Sequence, residues 1–302
     1  MPMNSEDEIW PNFLIVGAAK CGTTSVWEYL RTHPDVFFPT VKEPTYFMSM
    51  PALQGDEWTY FAGNKQGYLD LYKDAKGYKA IGDASPGYLW DVNAARLIHE
   101  VSPDARIVII LRDPIERAQS HYLRIKWWGL DPLSFPEAVK RDVSDNPIGW
   151  WSKFLYVETG MYYEQVRRYL DLFGKEQVGI FLTEDLEKDT PGVVGAIARH
   201  IGIDPALLDQ QELQRVHNVS RAPRLKWLYD AVRATVSLRM RMKILPEPVR
   251  KWMSYNSVFY KSDKPRIEPE ASQYLQAIYG PDLIKLEELL GRKLPQLRRS
   301  WT

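Results

Sequence analysis

The chain has 302 residues and 45% hydrophobic content, so it can bury a full core as one large domain or two small ones. Its 39 basic and 39 acidic residues cancel, which gives no electrostatic case for nucleic acid or an anionic membrane as a partner. The single cysteine, Cys21, excludes an intramolecular disulfide framework and fits a reducing compartment.

Two features of the sequence give a first expectation of location. The acidic N-terminus lacks the basic and apolar regions of a signal peptide. No segment approaches the roughly 18 uninterrupted apolar residues of a membrane span. We therefore expect a cytoplasmic protein without a transmembrane segment.

Short apolar runs alternate with helical patterns, which predicts an α/β fold with a largely parallel central sheet. The predicted strands cover residues 12–17, 79–83, 106–111 and 178–182. The predicted helices cover 23–31, 91–100, a segment that opens at Asp113-Pro114, 191–201 and about 270–290. Because the sequence contains neither an internal repeat nor a low-complexity linker, a single domain over residues 1–302 is the simplest description.

Two segments between these elements have unusual compositions. Residues 127–163 are rich in aromatic side chains. Packing beneath a long insertion and lining an acceptor pocket explain them equally well, and Trp127 and Trp128 are the candidates for acceptor contact. Residues 221–252 hold nine Lys or Arg against two acidic residues and begin as an amphipathic helix. A solvated helix is the default interpretation, and recruitment of an anionic acceptor or peripheral contact with a membrane stays open.

Residues 13–25, FLIVGAAKCGTTS, almost spell a nucleotide-binding P-loop. In the usual pattern a lysine directly follows the second glycine, whereas here Thr23 has that position and the lysine is Lys20. A strand that ends in Gly17 and a helix that begins at Thr23 would direct backbone N–H groups and the helix dipole at one point. The sequence therefore favours an anion site over an ordinary glycine turn. The candidate contacts are Lys20, Cys21, Gly22, Thr23, Thr24 and Ser25.

A second anion site is predicted within residues 106–122. Arg112 directly follows the apolar run RIVIIL, and Ser120 would lie about two turns into the next helix. Both side chains could then bind one phosphate at the carboxyl edge of the sheet. Arg117 and Arg124 are interpreted as solvated residues of that helix.

The two motifs together resemble those of the sulfotransferases that use 3′-phosphoadenosine-5′-phosphosulfate (PAPS). The likeness is strongest to the heparan sulfate N- and 3-O-sulfotransferase type and its bacterial small-molecule relatives. Residues 13–25 resemble that family's 5′-phosphosulfate loop, including the lysine two residues before the second glycine, and residues 106–122 resemble its 3′-phosphate motif. Further matching segments are KEPTYF (42–47), GDASPGYL (82–89), LTEDL (182–186) and KPRIEPE (264–270).

The resemblance implies a P-loop-like sheet and transfer of a sulfuryl group from PAPS to a hydroxyl, or as second choice to an amine. The acceptor would be a small molecule, a carbohydrate or a lipid-like compound, and adenosine 3′,5′-bisphosphate (PAP) the product. Glu43 would be the general base, since the matching glutamate has that role in the family. Lys20 would neutralise the leaving phosphate, and the reaction would require no metal ion.

Other residues receive smaller roles from the same resemblance. Lys42 would contact the donor or tune Glu43. Asp83 would contact the acceptor or Lys42, and a plain turn carboxylate is an equal alternative. Lys264 and Arg266 would contact phosphate from a C-terminal loop and helix, 261–290, that closes over the donor. One departure is Ala84, where heparan-type enzymes often have a lysine, and it weakens the case for a heparan-like acceptor.

Two rival bases and two rival functions remain at this point. His33 and His121 are rival bases, although both are interpreted as structural. A P-loop kinase or NTPase is disfavoured because Thr23 replaces the usual lysine. A non-catalytic nucleotide-binding protein of the same fold would not need Glu43 beside Lys20.

Overall fold

Five parallel strands form the centre of the protein in a computed structural model. The structure describes residues 8–49, 61, 63–127, 131–145, 155–215, 221–223, 259–261 and 265–301. The strands are β1 (Phe13–Gly17), β2 (Val36–Phe37), β3 (Ala80–Asp83), β4 (Arg106–Leu111), β5 (Val178–Leu182), β6 (Arg221–Pro223) and β7 (Phe259–Lys261). The first five make a parallel sheet in the order β2-β3-β1-β4-β5, and β6 pairs with β7 antiparallel.

Helices follow the strands, as expected when parallel neighbours must be joined by crossover connections. The described helices are α1 (Thr23–Leu30), α2 (Lys65–Asp70), α3 (Ala94–Val101), α4 (Pro114–Trp127), α5 (Phe135–Asp145), α6 (Tyr162–Gln177), α7 (Thr183–Lys188), α8 (Thr190–His200), α9 (Gln210–Leu213) and α10 (Pro269–Leu290). Helix α6 packs on β4 and β5 and against α3 and α10, while α8 packs on β5 and against α1.

The predicted α/β fold is confirmed, and so is the parallel central sheet flanked by helices in a single domain. All four predicted strands occur within one residue of their expected bounds, because each is a short buried apolar run. The predicted helices also occur, and the helix that opens at Asp113-Pro114 begins at Pro114. The short strand β2, which the sequence analysis missed, has only two residues and carries no periodic signal.

Parallel pairing directs the carboxyl ends of β3, β1 and β4 toward the same edge of the sheet, although β3 ends opposite the second residue of β1. Strand β1 lies between β3 and β4, with Leu14 opposite Asp83 on one side and Ile107 on the other. Ligands of open α/β sheets bind outside the carboxyl ends of the strands. The segments that follow β1, β3 and β4 therefore share one edge.

Two clusters of buried side chains hold this edge in place. The larger cluster surrounds the sheet and includes Leu14, Ile15 and Val108, which are fully buried. The second lies among α4, α5 and α10 and includes Ile115, Tyr156 and Leu275. Helix α4, which directly follows β4, is thus also held in place by packing against α5 and α10.

The close approach of Leu89 to Gly17 gives a prediction about the end of β1. A Cβ added at Gly17 would lie 2.4 Å from Leu89 Cβ, and the Leu89 N–H is fixed by a 2.7 Å hydrogen bond to the Val16 carbonyl. We expect Gly17→Ala to lower the free energy of unfolding by about 3 kcal/mol, because the backbone cannot withdraw. Denaturant titration measures the change.

The matched control is Gly195→Ala, inside α8, where the nearest heavy atom would lie 3.7 Å from the new Cβ. Helix propensity predicts that this change is neutral or stabilises by up to about 1 kcal/mol. Equal free energies of unfolding for the two variants would contradict the steric argument.

Candidate active site

The loop after β1 has the backbone conformation of an anion site. Lys20 and Gly22 both adopt positive φ angles, 73° and 86°, so the chain turns sharply before α1 begins at Thr23. The N–H groups of a first helical turn have no acceptor within their own helix, and they carry the positive end of its dipole. Thr23 and Ser25 are buried here, while Lys20, Gly22 and Thr24 are half-buried. The loop can therefore offer backbone donors and the Lys20 ammonium to one anion.

Hydrogen bonds join this loop to the end of β4. The Thr183 hydroxyl lies 2.8 Å from the carbonyl oxygen of Cys21 and 3.0 Å from that of Leu111. The Tyr162 hydroxyl donates to the Arg112 carbonyl at 2.9 Å and lies 3.8 Å from the Cys21 sulfur. The two predicted anion motifs are thus fixed relative to each other.

Arg112 lies at the second of these motifs and is already ion-paired. Its guanidinium, 8% exposed, donates from Nε and Nη2 to Glu116 Oε2. Arg299 donates to both oxygens of the same carboxylate, at 3.0 and 2.7 Å. Burial would raise the pKa of Glu116, but Arg299 and Arg112 together lower it to about 2. A phosphate at Arg112 would therefore share the guanidinium with an ionised Glu116 or displace it.

The N-terminus of α4 is held beside this ion pair. Asp113 Oδ1 accepts the N–H of Ile115 at 2.9 Å, and its Oδ2 accepts the N–H of Ser300 at 2.8 Å. Ser120, half-buried, lies one helical turn beyond Glu116 on the same face. Arg112 lies just before the helix and Ser120 lies about two turns into it. Their shared contact with one phosphate stays a prediction.

Glu43 lies in a loop that bonds to the segment after β3. Lys42 Nζ donates to Glu43 Oε1, and Glu43 is half-buried. The N–H of Thr45 donates to Ser85 Oγ at 3.2 Å, and the N–H of Phe47 donates to the Tyr88 hydroxyl at 3.4 Å. The loop therefore lies over the same edge of the sheet as the two anion motifs.

Asp83 differs from its expected position. It is fully buried, and its carboxylate accepts hydroxyl hydrogens from Tyr68 at 2.8 Å, Ser85 at 2.7 Å and Tyr88 at 2.9 Å. Burial raises its pKa to about 6, although the three hydroxyls act in the opposite direction. Asp83 therefore contacts neither Lys42 nor the protein surface in this conformation, because its oxygens are enclosed by hydroxyl groups.

Of the two α4 arginines that the sequence analysis interpreted as solvated, only one differs from that interpretation. Arg117 is not solvated: it is fully buried between the 155–157 segment and α10, and its Nη2 donates to the Tyr156 carbonyl. Arg124 is exposed, but the negative charge of Glu43 acts on it. The spacing of four residues from Ser120 is the signal that could have placed Arg124 on the site side of the helix.

The histidines have the structural positions expected of them. His33 is buried, accepts the N–H of Asp35 at Nδ1 and lies 2.9 Å from the Asp204 carbonyl through Nε2. His121 packs edge-on against Tyr156, with ring centroids 5.2 Å apart. These contacts are consistent with a structural role for both rings, which stays a prediction.

Arg266 lines a cavity of about 280 Å³ between α4 and the segment before α10. Gln119 Nε2 donates to the Pro265 carbonyl at 2.8 Å and holds that segment against the helix. Arg266 is exposed beside Tyr122 and Lys126, which also line the cavity. The cavity lies on the side of α4 away from Arg124.

Several predicted contacts lie outside the described residues. They are Lys264, Trp128, the side chain of Trp127 and all of the basic segment 221–252 except β6. Within the aromatic insertion 127–163, the described Tyr156 and Tyr162 are fully buried, which favours packing as their role. An acceptor-lining role for Trp127 and Trp128 stays a prediction.

Comparison with known proteins decides the family. The family model for the sulfotransferase domain matches residues 11–291, which is nearly the whole chain. The chain belongs to the sulfotransferase family. A sulfotransferase crystal structure from Alicyclobacillus acidocaldarius superposes with a TM-score of 0.71 at 29% identity, and the match covers 96% of this chain and 100% of that one.

Three curated sulfotransferases are also similar over part of their length. Human carbohydrate sulfotransferase 15 is 26% identical over 71% of this chain and 47% of its own length. Human heparan sulfate glucosamine 3-O-sulfotransferase 6 is 27% identical over 67% of this chain and 55% of its own length. The membrane-associated sulfotransferase kil1 of Dictyostelium discoideum is 36% identical over 39% of this chain and 24% of its own length. The chain thus spans between a quarter and just over half of each relative.

Two further properties of the described residues of the sulfotransferase concern metal ions and membranes. Within the described ranges, no group of three or more His, Cys, Asp or Glu side chains could hold a metal ion. None of the described helices combines the length and apolarity that crossing a membrane requires.

The position of Cys21 changes how the loop can be probed. A thiol reagent at Cys21 would label the loop, but the side chain is fully buried and burial raises its thiol pKa to about 11. Since only the thiolate reacts, we expect the folded protein to react with an aromatic disulfide reagent at pH 8 roughly 100-fold more slowly than the protein in denaturant. Equal rates in the two states would contradict the buried position of the loop.

Proposed function

We propose that this sulfotransferase moves a sulfuryl group from PAPS to a hydroxyl of a small-molecule, carbohydrate or lipid-like acceptor. The observation that carries the proposal is the meeting of three segments at one sheet edge: the 17–25 loop, Arg112 with Ser120, and the loop of Glu43. Two separated anion sites suit the two phosphate-bearing ends of PAPS. The resemblance of the loop to a 5′-phosphosulfate site assigns the sulfuryl end to Lys20.

The reaction needs positioning and charge neutralisation rather than covalent chemistry by the protein. Lys20 and the N–H groups at the start of α1 neutralise charge on the leaving phosphate. Glu43 accepts the proton of the attacking hydroxyl, and Lys42 holds its carboxylate through the ion pair. In-line attack breaks the bond between sulfur and the bridging oxygen, and PAP leaves with that oxygen.

The acceptor class is supported by the relatives and by charge. Carbohydrate and heparan sulfate sulfotransferases among the relatives make a sugar hydroxyl the first choice. Arg124 is exposed and interacts electrostatically with Glu43. It would therefore suit an acceptor that carries an acidic group. An amine acceptor is the second choice. As expected from the sequence, the proposed reaction takes place in the cytoplasm.

Binding of PAP by the free protein tests the donor assignment. We expect PAP to bind in the absence of magnesium, and Arg112→Ala to weaken this binding by about 10- to 100-fold because a charged hydrogen bond to the 3′-phosphate is lost. Adenosine 5′-monophosphate, which lacks that phosphate, should bind the two proteins within about twofold. Isothermal calorimetry measures both ligands.

The control for this experiment is Arg96→Ala, which removes an exposed arginine whose partner is Glu100 on α3. It should leave both affinities unchanged. Equal weakening of both nucleotides by Arg112→Ala would contradict the 3′-phosphate site, and magnesium-dependent ATP binding without PAP binding would contradict the donor.

Replacement of the proposed base separates chemistry from binding. Glu43→Gln should lower kcat by about 10²-fold or more while PAP affinity stays within about threefold, because the amide cannot accept the proton. Turnover is followed as transfer of labelled sulfate from PAPS to the best acceptor among sugars, phenols and lipid alcohols. Glu100→Gln, at an exposed side chain of α3, is the control and should retain wild-type kcat. Full kcat in Glu43→Gln would remove Glu43 as the base.

A further inference from the structure

The buried carboxylate of Asp83 is the centre of a polar cluster that also reaches the loop of Glu43. Two of its three hydroxyl donors, Ser85 and Tyr88, each have a second partner in that loop. Ser85 Oγ accepts the N–H of Thr45, and the Tyr88 hydroxyl accepts the N–H of Phe47. The third donor, Tyr68, makes no such contact and instead lies 3.4 Å from the Tyr72 hydroxyl.

Hydroxyl chemistry fixes the direction of these bonds. A hydroxyl group has one hydrogen to donate and two lone pairs that accept. An ionised Asp83 only accepts, so it holds the hydrogens of Ser85 and Tyr88 and leaves their lone pairs for the loop. The carboxylate therefore determines that both hydroxyls present acceptors to the N–H groups of Thr45 and Phe47.

The loop needs such support because its backbone is strained. Glu43 and Thr45 have φ angles of 60° and 58°, which side-chain-bearing residues adopt only when their surroundings hold them there. Pro44 between them is buried and has no N–H to contribute. The two bonds from Thr45 and Phe47 are thus the backbone ties between the strained turn and the segment after β3.

We propose that Asp83 is a positioning residue: through Ser85 and Tyr88 it holds the 43–47 turn so that the Glu43 carboxylate faces the donor edge of the sheet. The inference rests on the proposed role of Glu43 as base. It gives the cluster of hydroxyls around a buried carboxylate a role in the reaction. It also gives Asp83 a function that requires no contact with an acceptor.

Titration of Asp83 should weaken this hold. The ionisable groups that face it are Tyr68 of α2, Tyr72 just after that helix, Tyr88, Tyr169 of α6 and Glu43. A protonated Asp83 donates one hydrogen and can no longer accept from every hydroxyl around it, so Ser85 and Tyr88 are free to turn. The pKa of about 6 places this change just below neutral pH.

Amide hydrogen exchange of Thr45 and Phe47, measured with PAP bound, tests the inference without an acceptor. Ser85→Ala should lower the protection factor of Thr45 by about fivefold or more, as expected for loss of one hydrogen bond. Tyr68→Phe is the matched control: it removes a hydroxyl from Asp83 but none from the loop, and protection should change less than twofold. In the wild type, protection corrected for intrinsic exchange should fall as pH drops from 7 to 5.

Equal loss of protection in Ser85→Ala and Tyr68→Phe would overturn the inference, because it would mean general destabilisation. Unchanged protection in Ser85→Ala would also overturn it. The milder Ser85→Ala is used in place of Asp83→Asn because it leaves the buried carboxylate paired with two tyrosines.

Turnover separates this inference from the proposed function. Ser85→Ala should lower kcat about tenfold with unchanged PAP affinity, since misplacement of a base reduces rate rather than donor binding. In a Glu43→Gln background the same change should cause no further loss. Full turnover in Glu43→Gln would defeat the assignment of the base, whereas loss in Glu43→Gln with full kcat in Ser85→Ala would defeat the positioning role alone.

Discussion

The site depends on the joining of two neighbouring strand ends, β1 and β4. Parallel pairing brings the 17–25 loop and Arg112 to one edge, and side chains from later elements then fasten them together. The Thr183 hydroxyl bridges the carbonyls of Cys21 and Leu111, and Tyr162 reaches both Cys21 and the Arg112 carbonyl. Because these ties involve backbone atoms, the distance between the two anion motifs is set before any ligand binds. A donor with two anionic ends can use that fixed spacing.

Charged side chains at this edge form ion pairs, and an anionic ligand could take the place of the carboxylate in such a pair. Arg112 is ion-paired with Glu116, which also pairs with Arg299. The Arg112 guanidinium is therefore held in one orientation, although the site has both positive and negative side chains. Lys42 is paired with Glu43, and the charge of the same carboxylate acts on Arg124. Binding of a nucleotide 3′-phosphate would compete with Glu116 for Arg112, and Arg299 would keep Glu116 ionised when that happens. The C-terminal residues Arg299 and Ser300 therefore support the site through α4.

Much of the fold and part of the site could be predicted from the sequence because their signals are local. The strands are short apolar runs, and the loop at 17–25 and the pair Arg112 and Ser120 are short motifs with fixed spacing. The burial of Arg117 and the enclosure of Asp83 could not be predicted, because they depend on packing between distant segments. The bond from Arg299 to Glu116 spans 183 residues, and that from Tyr68 to Asp83 joins a helix to a strand end. Local patterns carry no information about such partners.

The central claim is that this edge of the sheet binds PAP with its 5′-phosphate at the loop after β1 and its 3′-phosphate at Arg112. A crystal structure of the protein with PAP tests it most directly. The account predicts the 5′-phosphate within hydrogen-bond distance of the N–H groups of Gly22 to Thr24, and the 3′-phosphate within that distance of the Arg112 guanidinium and Ser120 Oγ. A nucleotide bound in the reverse direction, or with its phosphates in the cavity beside Arg266 alone, would contradict it.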